Sequence, residues 1–233
     1  MATTTLTPRA RALRSSVTKK VLMAVTGLIM VGYLVAHMAG NLKVFLGADE
    51  FNHYAEWLKG DILAPILPSG WFIWIFRVVM LTAIVLHAWS AWQLASVARV
   101  ARGSKYINGK KIQVSYAART MRWGGVILAV GLVFHILQFT AQVVQTGFRS
   151  GAAPYDMFIL SFQQWWLVLL YAIWMVTVTL HIRHGFWSAF ATLGLNTSAK
   201  ARGLLNGLAY TVAALLFVGF LIAPVAVLIG VVN

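Results

Sequence analysis

The chain has 233 residues, 60% hydrophobic and only 10% charged, with a mean hydropathy of +0.78 and a formal net charge of +14. A soluble domain carries roughly 25% charged residues, so this composition excludes an ordinary soluble domain and predicts an all-α membrane bundle. No cysteine is present, which excludes disulfides, thiolate catalysis and an iron–sulfur or zinc–thiolate centre made by this chain alone.

In chain order, residues 1–20 form a polar, basic segment with Arg9, Arg11, Arg14, Lys19 and Lys20. Five apolar runs follow, over about Val21–Leu46, Trp71–Val97, Trp123–Gln145, Trp165–Ala189 and Leu204–Val232. Each exceeds the roughly 20 residues that cross a bilayer. The first is too long for the apolar core of a signal peptide and is expected to be a retained span. One transmembrane domain over 1–233 is the predicted organisation.

The loops set the expected orientation. Arg99, Arg102, Lys105, Lys110, Lys111, Arg119 and Arg122 lie in or beside the second connection, and Lys200 and Arg202 in the fourth. Asp49, Glu50, Glu56 and Asp61 lie in the first, and Arg149 and Asp156 in the third. Basic loops stay cytoplasmic, so a multi-pass cell-membrane protein with a cytoplasmic N-terminus is expected. The same rule accounts for the net charge without nucleic acid. GADEFNHYAEWLK is expected to form a short amphipathic helix on the outer surface, and Asn108–Gly109 a turn.

Four spans each carry one histidine inside the apolar run: His37, His87, His135 and His181. An imidazole in hydrocarbon is costly unless paired or metal-bound, and imidazole is the commonest metal ligand. Helix rise places His37 roughly 24 Å and His135 roughly 19 Å from the inner ends of their spans. His87 and His181 come out roughly 15 and 12 Å from the cytoplasmic side. The simplest sorting is an outer pair, His37 with His135, and an inner pair, His87 with His181. Two bis-histidine pairs at different depths are what two b-type haems need. Small residues one turn away would let a ring approach: Gly40, Ala83, Ala91, Gly131, Thr177 and Gly185. Such residues also serve plain helix packing.

Several stretches carry a family resemblance. They are SSVTKKVLMAVTGLIM, LVAHMAGNLKVFLGADEFNHYAEWL, the Arg77-to-His87 segment, RTMRWGGVIL with FHILQF, and LHIRHGFWSAFATLG. Over about residues 16–230 the chain resembles the cytochrome b membrane-anchor subunit of succinate dehydrogenase and fumarate reductase, in its single-chain, five-span, two-haem form. The resemblance implies axial ligands at His37, His87, His135 and His181, paired as depth pairs them. It implies a flavoprotein that oxidises succinate and an iron–sulfur subunit on the cytoplasmic face. It also implies electron transfer to a quinone, usually menaquinone, with the succinate site on a partner. Some relatives carry a buried Glu two positions before the fourth-span ligand. Thr179 stands there, so that proton route is not expected.

His184 is an alternative fourth ligand. Lys43, Arg77 and Arg183 either snorkel to the interface or pair with haem propionates. His53, Tyr54, Glu56 and Asn41 are candidates for a quinone pocket near the outer haem. Two other functions fit the sequence: a haem anchor for another quinone oxidoreductase, such as one serving a hydrogenase, and a transporter or channel with histidines as a proton relay.

Overall fold

The computed structural model describes residues 15–100 and 116–233, and Thr7. The basic residues Arg9, Arg11, Arg14, Arg102, Lys105, Lys110 and Lys111 and the turn expected at Asn108–Gly109 lie outside the described residues. Among the described residues all regular structure is helical.

Helix α1, Ser16–Leu42, starts where Ser15 accepts a hydrogen bond from the Thr18 backbone N–H at 3.1 Å, which satisfies one of the free amides of a first turn. It tightens into a 3₁₀ turn over Lys43–Leu46 and stops at Gly47, whose φ of 93° suits glycine. Helix α2, Ala48–Lys59, carries Asp49 and Glu50 in its first turn and Lys59 in its last, each complementing the helix dipole. The amphipathic helix expected from Gly47 onward is therefore present.

Helix α3 spans Trp71–Val100, α4 Tyr116–Phe139, α5 Pro154–Phe162, α6 Trp165–Thr192 and α7 Ala199–Leu228. The helices α1, α3, α4, α6 and α7 are each long and apolar enough to cross a membrane. Their outward faces are apolar too: Val78 is 62% exposed, Val130 66% and Val218 59%. Water would penalise such faces on every helix, and lipid does not.

Several boundaries differ from the sequence expectation, and at two of them and in one connection the local reason is plain. The third span ends at Phe139 rather than near Gln145. Gln142 takes φ 54°, and the Ala141 and Val143 amides bond back to the Ile136 and Leu137 carbonyls, closing the helix. The fifth span begins at Ala199 rather than Leu204, because Ser198 Oγ accepts from the Ala201 amide at 3.1 Å. The third connection, expected as loop, contains α5. Pro154 occupies its first turn with Asp156, and Tyr155, Met157, Phe158, Ile159, Ser161 and Phe162 are buried.

Helices α1 and α6 form the centre. Helix α3 packs on α1, α4 packs on α6, and α7 packs on both. Met38, Met175, Val178, Ile182 and Leu216 make a core between α1, α6 and α7. A second core lies under α5, with Phe158, Phe162, Leu167, Tyr171 and Val227. Helices α2 and α5 pack together at one end of the bundle. Asn52 Oδ1 accepts from the Tyr155 amide at 3.0 Å, and the Tyr155 hydroxyl donates to the Asn233 carbonyl at 3.0 Å. All five acids of the chain lie in α2, just after it, or in α5, so that end is acidic. The opposite end gathers Lys19, Lys20, Arg99, Lys200 and Arg202.

Candidate functional site

His87 on α3 stands opposite His181 on α6, with ring centres 6.3 Å apart. His87 Nδ1 lies 3.0 Å from the Met23 carbonyl and 3.3 Å from Thr26 Oγ1, both on α1. A carbonyl only accepts, so Nδ1 carries the proton and Nε2 keeps its lone pair. The ring reaches α1 because Gly27 has no side chain, since a Cβ there would stand 3.3 Å from His87 Cε1. His181 Nδ1 is buried without a hydrogen-bond partner.

His37 on α1 stands opposite His135 on α4, with ring centres 5.8 Å apart and planes at 81°. Tyr33 stacks on His37 at 5.3 Å, and Phe220 of α7 lies 5.7 Å away. Behind His135 runs a buried polar chain. The Tyr171 hydroxyl donates to Gln138 Oε1 at 2.7 Å and sits 3.1 Å from His135 Nδ1. With its proton committed to Gln138, the tyrosine oxygen accepts the Nδ1–H, and Nε2 again keeps the lone pair. Gln138 Nε2 donates to Thr146 Oγ1 at 2.6 Å and to Ser161 Oγ at 3.2 Å. Gln138 and Ser161 are fully buried, so this chain satisfies groups that hydrocarbon would leave unpaired.

The two pairs occupy different depths. His87 touches α1 at Met23, Thr26 and Gly27, and His37 lies 10 to 14 residues further along the same helix, a separation of roughly 15–21 Å. Two imidazoles that share one metal, with bonds of about 2.0–2.1 Å, have ring centres roughly 6 Å apart. Both pairs have that spacing, and in each pair one Nδ1 is engaged by a hydrogen-bond partner. A ligating histidine commonly has its second nitrogen held this way. Among the described residues no cluster of three or more His, Cys, Asp or Glu forms.

The other expected site residues fall as follows. His184, one turn after His181 on the same face of α6, lines a cavity with Arg183, Trp187 and Asn206 and makes no ring contact with His87. Arg183 bonds to Asn206 and Tyr210 of α7. Lys43 lies 5.1 Å from the ring centre of Tyr54, and Arg77 lies 4.8 Å from that of Trp74. Gly40 admits the Tyr54 ring, which a Cβ would meet at 3.0 Å, and Gly131 admits the indole of Trp174. Gly185 has open space at the Cβ position. Tyr171, Gln138, Thr146, Ser161 and Met23 were not anticipated as supports. Gln138 carried a usable signal, a polar residue inside an apolar run three positions after His135. No family model, curated protein or solved structure matches the chain.

Proposed function

We propose that the chain is the haem-bearing membrane-anchor subunit of a succinate:quinone oxidoreductase, respiratory complex II. One observation carries the reading: on four of the long apolar helices, histidines meet in two couples, with ring centres 5.8 and 6.3 Å apart, at separate depths. Bound there, two b haems would supply one-electron transfer between an iron–sulfur partner and a membrane quinone, menaquinone by the family resemblance. His87 and His135 present Nε2 because Met23 and Tyr171 occupy their other nitrogens. His37 and His181 supply the facing imidazoles, and Gly185 has open space where a Cβ would stand, one turn from His181.

The basic end faces the cytoplasm by the charge rule, and the flavoprotein and iron–sulfur subunits dock there, with the succinate site on the flavoprotein. Tyr54 brings α2 against α1 one turn from His37, and with it His53, Glu56 and Asn41 remain the candidates for a quinone pocket.

Haem extraction from purified protein is the direct test, with two b haems per chain expected. His37→Ala or His135→Ala should remove the outer haem, and His87→Ala or His181→Ala the inner one. Pigment-free protein that still supports quinone reduction would sink the proposal. Loss of the inner haem in His184→Ala but not in His181→Ala would reassign one ligand. Co-purification of a hydrogenase instead of the succinate subunits would identify a different quinone oxidoreductase. The chain from His135 through Tyr171 and Gln138 also favours one rival, a proton-relay transporter. That rival predicts proton uptake into vesicles by haem-free protein.

A further inference from the structure

Toward the basic end, a groove between α6 and α7 holds Arg183, His184, Trp187 and Asn206 around a cavity of about 220 Å³. Arg183 Nη2 donates to Asn206 Oδ1 at 3.2 Å and to the Tyr210 hydroxyl at 2.8 Å. The guanidinium also lies 4.4 Å from the centre of the Tyr210 ring. The fork is thus held from the α7 side, while its Nε is buried and has no hydrogen-bond partner.

Charge makes this position unusual. Arg183 lies nine residues before the end of α6 at Thr192, roughly 14 Å below that end. Helix α6 is longer than the hydrocarbon core, so Arg183 lies near the inner edge of that core, where a cation snorkels to the headgroups and favours an anionic partner there. This chain has none to offer, because all five acids lie at the other end of the bundle. His181 is two residues away, about 200° round the helix. Arg183 faces α7 while His181 faces α3, so a group held between His87 and His181 is on the other side of α6. A soluble partner's carboxylate would have to reach well below the helix end.

We propose that this groove binds the headgroup of an anionic phospholipid. Arg183 meets the phosphodiester, Asn206 and Tyr210 fix the guanidinium plane, and Trp187 and His184 border the headgroup. Arginine suits the task because its planar fork matches phosphate oxygens, and basic pockets between membrane helices are a known setting for such lipids. The proposal does not depend on the haem reading.

The test uses the full chain, with any subunits that co-purify, in nanodiscs of phosphatidylcholine containing a minority of phosphatidylglycerol. The lipid retained after mild detergent extraction is quantified by mass spectrometry. Wild type should retain phosphatidylglycerol above its bulk fraction. Arg183→Gln should cut that enrichment about fivefold, the effect of one basic residue at an anionic surface. Arg183→Lys should keep part of it, and Arg149→Gln, at the acidic end, all of it. If Arg183→Gln does not fold, Tyr210→Phe provides the second measurement, with a smaller loss of enrichment expected. Full enrichment in Arg183→Gln and Tyr210→Phe would overturn the proposal, as would an equal fall in Arg149→Gln. Displacement of the lipid by inorganic phosphate alone would also overturn it, by showing that the site takes the free anion.

Discussion

Tyr171 performs two tasks with one hydroxyl. It donates to Gln138 and so presents only its oxygen to His135. Donation polarises that oxygen and makes it a better acceptor, which in turn makes the far nitrogen of His135 a stronger donor to a metal. In haem-loaded protein, Tyr171→Phe should raise the midpoint potential of the outer haem and change its electron paramagnetic resonance signal. The inner haem should stay as it was. A redox titration in which both haems shift together, or neither does, would remove Tyr171 from this role. Apart from any cofactor, the same change leaves Gln138 Oε1 without its donor, at a cost of about 1–3 kcal/mol, visible as a lower thermal midpoint. His87 is arranged differently. Its closest Nδ1 contact is a backbone carbonyl, so no side-chain substitution removes that partner directly.

Among the elements, the helix pairs differ in how closely they can approach, and glycines decide this. Gly131 of α4 receives the indole of Trp174 from α6, and Gly219 of α7 receives the Met38 side chain from α1. Gly131→Leu should force Trp174 out of its place beside His135 and separate α4 from α6. Overpacking of this kind costs about 1–3 kcal/mol. Thermal melts in detergent should show the loss, and Gly125→Leu, where a Cβ meets open space, should not.

The long helices were legible in the sequence because about twenty consecutive apolar residues have few alternatives. Helix α5 was not, since nine residues cannot span a bilayer and MFILSF looks the same in a loop as in a buried cap. The end of α4 was hidden for another reason. TAQVVQT carries no glycine or proline, and the turn depends on Gln142 taking φ 54° while its side chain accepts from the Gly151 amide at 2.7 Å. The sorting of the histidines into two couples came from helix rise together with the orientation set by the loop charges. The supports of those histidines did not, because contact between Tyr171 and His135 depends on how α4 and α6 are rotated about their axes.

At the scale of the molecule, charge divides the bundle lengthwise, with every acid at one end and most of the described cations at the other. Since the chain lacks cysteine, single cysteines report sidedness without background. Ser150→Cys, in the connection before α5, should react with an impermeant maleimide added outside intact cells. Asn196→Cys, between α6 and α7, should react only after the membrane is opened. The reverse pattern would place the basic end outside and remove the docking face proposed for the soluble subunits.

Helix α1 contributes His37 to one pair and, through Met23, the carbonyl that orients His87 in the other. A rigid rod that serves both stations cannot slide or turn for one without disturbing the other. On the haem reading, filling one station would hold α1 in register and ease the filling of its counterpart, so a variant that has lost one haem should keep the other but hold it less tightly.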